Sequence, residues 1–143
     1  ADTYELKYSV KDKAGNEGKA IRMVTVVNDA QSLLAAGQYN VSETCAGDID
    51  LPAYTETISL SETVNNRIHF NKFANYINNN KIWAELIDST ITIPEQTAVN
   101  VGSPGYDRTF SGVGVITTNG CTIYYTELAG TEIQQCTASY IKK

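Results

Sequence analysis

His69 is the only histidine in the chain, so a Ser-His-Asp or Cys-His site would have to use it. It sits between Ile68 and Phe70, and in an extended segment it points away from the face those two share. No G-x-S-x-G elbow is present; Ser103 in GSPG and Ser111 in FSGVG lack that frame. Without a nucleophile to activate, His69 reads as an exposed strand residue.

Acidic residues offer a second route to chemistry. Glycoside hydrolysis needs two carboxylates across a cleft, and Glu43, Glu56 and Glu85 all fall in segments with strand character. Glu43 lies between Val41 and Cys45 in alternation, and Glu56 between Tyr54 and Ile58, which puts both on an inner face. A buried acid is costly unless it is paired, so the pattern implies a polar cavity, an open end, or a register in which these acids reach an edge. Asp48 and Asp50 in AGDIDLP place two carboxylates in one stretch, but the remainder of a calcium loop is missing. Neither pattern is specific enough to define an enzyme, and none implies a cofactor. A hydrolase using paired carboxylates remains the weakest of three functional readings.

Cys45, Cys121 and Cys136 give an odd count. No C-x₂₋₄-C pair exists for zinc. In an oxidising compartment one disulfide and one spare thiol follow; in a reducing one, three small buried hydrophobes. The preferred bridge is Cys45 with Cys136, tying the first strand of the main unit to the last.

Two polar stretches have the composition of contact surfaces. One is 75–81, NYINNNK, with Tyr76, Asn78, Asn79 and Asn80, leading to Trp83. The other is 99–107, with Tyr106 and then Arg108 at its far end. Flat aromatic faces beside hydrogen-bonding groups suit a glycan or a protein partner, and loops on a rigid scaffold are where such residues sit. Trp83 on its own reads first as a core or sheet-face residue.

The elements that must position these residues are strands. Residues 110–140 read as three antiparallel strands joined by turns at Asn119-Gly120 and Ala129-Gly130. Those turns place Ile116 opposite Ile123, Gly114 opposite Tyr125, Tyr125 opposite Gln134, and Ile123 opposite Cys136. Phe110, Ile116, Cys121, Ile123, Tyr125, Cys136, Ala138 and Tyr140 then share a buried face. Thr117, Thr122, Tyr124, Thr126, Gln135, Thr137 and Ser139 share a wet one. Val113 and Val115 are its apolar exceptions, implying a cover over that corner. Gly112 and Gly114 lie beside Tyr125 and mark a bend.

Upstream, further candidate strands are 38–45, 54–60, 67–71, 81–86 and 90–93, and the first strand of the C-terminal set extends back to 108. Many short strands separated by turn signals specify an all-β chain, an antiparallel eight-stranded meander closing into a barrel or a barrel-like sandwich over 37–143. Before it, TYELKYSV and AIRMVTVV alternate around the turn KDKAGN, giving a separate β-hairpin over 1–28 and a linker over 29–36. Nine Tyr, three Pro and 19% charged residues fit this reading. A net charge of −5 argues against a nucleic-acid partner. No apolar run is long enough for a membrane-spanning helix. No leader is visible, so the chain is either cytoplasmic or trimmed to a mature form; strands rich in Tyr and Asn with few charges favour a secreted one.

The stretch TYELKYSVKDKAGNEGKAIRMVTVV resembles the last two strands of immunoglobulin-like modules in bacterial surface proteins, with Leu6 where Val is usual. The pieces GQYNVSETC, NRIHFNKFANY, STITIPEQ and FSGVGV resemble the lipocalin-like β-meander domains that follow such modules in Bacteroidota envelope lipoproteins. The resemblance implies an extracellular or cell-envelope location, with any membrane tether upstream, and no established activity. The expected function is a non-catalytic surface module that binds a glycan or an envelope protein, or acts as a spacer. The alternative is a small barrel with an apolar ligand inside. A core rich in Ile, Leu, Phe and Tyr favours the first.

Overall fold

The computed structural model describes residues 2–26, 30, 34, 36–47, 49–76, 82–102 and 105–143. The chain is all-β, with an antiparallel closed eight-stranded barrel preceded by a two-stranded hairpin. The hairpin pairs β1 (Asp2–Lys11) with β2 (Glu17–Val26) in unbroken register from Asp2↔Val26 to Lys11↔Glu17. Asp12 sets its turn, its carboxylate accepting from the amides of Ala14 and Asn16 and from the Asn16 side chain. Those bonds hold the Asp12 carboxyl below its usual range, the Asn16 side chain contributing most. Tyr4, Leu6, Tyr8 and Val10 line one exposed face of the ribbon.

The barrel runs β3 (Gly37–Cys45), β4 (Ile49–Leu60), β5 (Arg67–Phe70), β6 (Ile82–Ile87), β7 (Thr90–Val101), β8 (Tyr106–Thr117), β9 (Gly120–Ala129) and β10 (Glu132–Lys142). Each strand pairs with its sequence neighbour, and β10 returns to β3. Closure leaves no free edge. Alternation fills the inside: β3 buries every second residue, Tyr39, Val41, Glu43 and Cys45. Tyr39, Phe70, Phe73, Phe110 and Tyr140 are among the largest fully buried side chains. Ala30 and Leu34, from the segment expected to link the two units, are also buried in the core, and Leu34 N donates to Ala30 O across one turn.

Two prolines sit where strands bulge. Val41 pairs with Tyr54 but Glu43 with Leu51, so Pro52 and Ala53 together oppose Ser42. Ile93 pairs with Gly112 but Gln96 with Phe110, so Pro94 and Glu95 oppose Ser111. A bulge tolerates a residue that cannot donate to the ladder. The expected 90–93 strand therefore does not stop at Pro94 but continues to Val101. Gln96 repairs part of the gap: its Nε2 donates to Trp83 O at 2.7 Å and its Oε1 accepts from Trp83 N at 3.0 Å. The side chain stands in for a ladder residue between β6 and β7.

The C-terminal hairpins divide their side chains between the faces as expected, but both registers differ from the expected ones by two residues. Ile116 faces Cys121, Gly114 faces Ile123 and Gly112 faces Tyr125. Tyr125 faces Cys136, and Ile123 faces Ala138. A shift of two leaves every side chain on its own face, so alternation alone cannot detect it. The first turn is made by Thr118 and Asn119, with Gly120 already paired to Thr117. Gly120 is needed for close approach: a Cβ there would lie 1.8 Å from the Tyr140 carbonyl oxygen. We expect Gly120→Ala to cost at least about 2 kcal/mol, because backbone of β10 has to move. Guanidinium denaturation checks this, and a loss below about 0.5 kcal/mol would show that the contact relaxes freely.

Candidate functional site

Among the described residues three acids lie inside the barrel: Glu43, Glu56 and Glu127. Glu85, the third acid considered from sequence, is on the outer face and pairs with Arg67 at 2.8 Å. Each inner acid has its own local purpose. Glu56 accepts backbone amides from Thr57, Asn71 and Lys72 on Oε1 at 2.7–2.9 Å, and Lys72 N also reaches Oε2 at 3.0 Å. It thereby fixes the chain just beyond β5. That chain makes a short 3-10 turn, Phe73–Asn75, whose Phe73 ring drops against Phe70, Phe110 and Tyr125. Burial pushes the Glu56 carboxyl up to about 7, against the opposing pull of the amides.

Glu127 pairs with Arg108, and the Arg108 guanidinium lies 4.5 Å over the Tyr76 ring. Tyr76 Oη also reaches Glu127 at 3.4 Å. Tyr76 and Arg108, proposed from sequence as contact residues on two different loops, thus meet at one end of the barrel. The charge of Arg108 is matched there by Glu127, and the trio packs beside Phe110. Tyr106 belongs to β8 and is exposed. The expected 99–107 loop is shorter than its composition suggests, because β7 runs to Val101 and β8 starts at Tyr106. Trp83 lies half-buried on β6 with the Arg67 guanidinium 3.6 Å over its ring. Asn78, Asn79 and Asn80 lie outside the described residues, as do Ser103 and Asp48. Asp50 is part of β4 and accepts from Thr44 Oγ1 at 2.8 Å, a cross-strand pair rather than a loop ligand. His69 pairs with Trp83 on one side and Ser59 on the other, half-buried.

Glu43 accepts from Tyr54 Oη at 2.8 Å, deep in the barrel. Burial raises its carboxyl above the usual range, with the tyrosine hydroxyls drawing it back. Cys45 and Cys136 form a disulfide joining β3 to β10. Cys121 is a buried thiol, pushed up to about 12 by burial, which makes it chemically quiet.

An open depression lies on the outside of the barrel, a groove of about 810 Å³ crossing β7, β8, β9, β10 and β3. Thr44, Thr92, Ser111, Tyr124, Gln135 and Thr137 supply its polar atoms, and Val113 an apolar patch. Every residue lining it is uncharged, in a chain where 19% of residues carry charge. Tyr124 is 53% exposed and Val113 56%, so each presents a free surface to the groove. Nothing in the residue types marked this site: on paper these side chains were the wet face of a sheet. The lone signal was Val113, an apolar residue on that face.

No family model matches the chain, and no curated protein does. Among solved structures, the chain is similar to a lipoprotein of Bacteroides thetaiotaomicron, with TM-score 0.53 and 17% identity, over 99% of this chain and 75% of that one. It is also aligned with a candidate outer membrane protein of Bacteroides fragilis, with TM-score 0.46 and 12% identity, over the same shares. At such identity the first likeness shows a shared fold. Among the described residues no helix is long and apolar enough to cross a membrane.

Proposed function

We propose that this chain is a non-catalytic module of a bacterial cell envelope that holds a neutral glycan in the outer groove. The observation carrying the reading is the groove itself: an uncharged, hydroxyl- and amide-rich depression with a half-exposed tyrosine. Sugars present both hydroxyls and flat C–H faces, and Tyr124 with Thr92, Thr137 and Gln135 offers a partner to each. An acidic glycan would meet no cation there and would be repelled by the net charge of −5. A buried disulfide fits an oxidising compartment, and the fold likeness is to a protein described as a Bacteroides lipoprotein. We read the hairpin as the end of an immunoglobulin-like module, in keeping with its exposed apolar face.

Calorimetric titration with neutral and acidic oligosaccharides tests the reading. A saturable response to neutral sugars alone is expected, and Tyr124→Ala weakens it at least about tenfold, equivalent to 1.4 kcal/mol. Because Tyr124 is exposed, that variant keeps its melting temperature within about 2 °C. Binding unaffected by Tyr124→Ala, or seen only with acidic sugars, would overturn the assignment. A protein partner captured on the same groove would replace the glycan reading.

A further inference from the structure

Closure of the barrel leaves the hairpin as the place where, among the described residues, sheet edges stay open. Its turn decides which groups those edges show. Asp12 N donates to Asn16 O, so hydrogen-bonded pairs recur at Val10↔Gly18, Tyr8↔Ala20, Leu6↔Arg22 and Tyr4↔Val24. The amides and carbonyls of Thr3, Glu5, Lys7 and Ser9 therefore point away from β2, toward the open side of β1. Their side chains are exposed, and Glu5 pairs with Lys7 along the strand at 3.2 Å. Opposite charges two residues apart make β1 complementary to itself. Run antiparallel to a copy of itself about Leu6, it sets Glu5 opposite Lys7, Lys7 opposite Glu5, Thr3 opposite Ser9, and Tyr4 opposite Tyr8. Sliding the copy by two residues either way sets Glu5 against Glu5 or Lys7 against Lys7, and like charges directly opposite are destabilising. β2 has no register of similar length that brings opposite charges together.

We propose that the hairpin is a self-association surface, on which β1 pairs antiparallel with β1 of a second copy of this chain about a two-fold axis at Leu6. The outward backbone groups are the ones such a ladder needs: Thr3, Glu5, Lys7 and Ser9 each exchange an amide and a carbonyl with the opposing strand. Leu6 meets Leu6, and Tyr4 meets Tyr8, at the closer non-hydrogen-bonded positions, where cross-strand side chains touch best. An isolated two-stranded hairpin is marginal in water, and three or more strands are needed for stability. Two hairpins joined in this way make a sheet of four. Read as the end of a module, the hairpin is a sheet two strands wide, and the second copy widens it in trans. A two-fold contact closes on itself, so this edge is used up at two copies. The charges also choose the occupant, because a strand without a matching acid and base leaves Glu5 and Lys7 to guard the edge.

Sedimentation equilibrium of the intact chain and its charge-swapped variants is the test. The parent is expected to dimerise as its concentration rises. Glu5→Lys alone brings bases together and Lys7→Glu alone brings acids together, so each should weaken the dimer at least about tenfold. An equimolar mixture of the two variants restores opposite charges at every pair and should recover a dimer of parental strength, one chain of each kind. Both positions are exposed, so either variant keeps its fold. Leu6→Cys reads the register. Facing non-hydrogen-bonded residues have Cα atoms about 4.5 Å apart, within the range of a disulfide, so mild oxidation should link two copies. Tyr4→Cys leaves the two thiols several residues apart and should not. A parent that stays monomeric at the highest concentration reached would overturn the proposal. So would dimers indifferent to either swap, a mixture that fails to recover, or Tyr4→Cys cross-linking as readily as Leu6→Cys.

Discussion

Replacing Cys45 and Cys136 together by Ala is expected to lower the stability of the chain by about 4 kcal/mol, the largest single loss we anticipate. The bond links residues 91 apart in sequence, so in the unfolded chain it closes a loop spanning nearly the whole barrel. Cross-linking a loop of that order removes unfolded-state entropy equivalent to roughly 4–5 kcal/mol. The native side of the balance offers little to offset it, because Cys45 and Cys136 are already register partners in the β3–β10 ladder. For a chain of this size the loss corresponds to a drop of roughly 15 °C in melting temperature. Guanidinium unfolding with and without reductant, beside the double variant, measures it. The reduced parent and the variant should agree to within about 1 kcal/mol, since both side chains are buried and small. A loss below about 1 kcal/mol in both would mean the seam is held by its ladder alone, and would remove the disulfide as an argument for an oxidising compartment.

That seam also shows how far the sequence could be read. Alternation identified the buried face of β8, β9 and β10, because burying one face of a curved sheet imposes a period of two. The same periodicity is blind to a two-residue slip, so turn residues had to set the register, and Asn119-Gly120 misled. Gly120 is present for its closeness to the Tyr140 carbonyl, a contact with a strand about 20 residues on that no local pattern announces. The expected strands 54–60 and 90–93 stop short of Pro52 and Pro94, yet both prolines lie in bulges within longer strands, because a proline in sequence does not show whether its neighbour strand carries one residue fewer. The inner position of Glu43 and Glu56 was legible. Their partners were not: the amides of Asn71 and Lys72 reach Glu56 only through the path of the chain after β5. The groove was least legible of all, since it arises from the shape of the sheet and not from any residue type.

Glu56 carries the second large effect, and its sign depends on pH. Glu56→Ala leaves the amides of Thr57, Asn71 and Lys72 without their acceptor in a site where the acid is fully buried. Orphaned buried donors cost about 1–3 kcal/mol each, so a loss of at least about 3 kcal/mol is expected at pH 5. Ala74 and Asn75, at φ 53° and 61°, would lose the anchor that holds this turn in the left-handed region, where a non-glycine backbone is strained. The turn with Phe73 should then open first, visible as faster amide exchange over 71–76. Ionisation acts in the opposite direction. The folded-state value of about 7 lies above the ordinary 4.5, so the native state holds its proton more tightly than the unfolded chain. That contribution is fully present below about pH 4.5 and is lost as pH rises to about 7, a change of about 3 kcal/mol. Burial moves Glu43 in the same direction. Protonation is compatible with the bonding, because a proton on Oε2 leaves Oε1 accepting all three amides and weakens only the 3.0 Å share of Lys72 N on Oε2. Glu56→Gln copies that neutral form, with its carbonyl at Oε1. It should match the parent near pH 5, exceed it near pH 8, and show a flatter stability profile across that range. Urea melts at several pH values on the parent, Gln and Ala chains measure all three expectations. If the parent instead loses stability on acidification from pH 7 to 5 and Glu56→Gln is destabilised throughout, the three amides outweigh burial and Glu56 is held as a carboxylate.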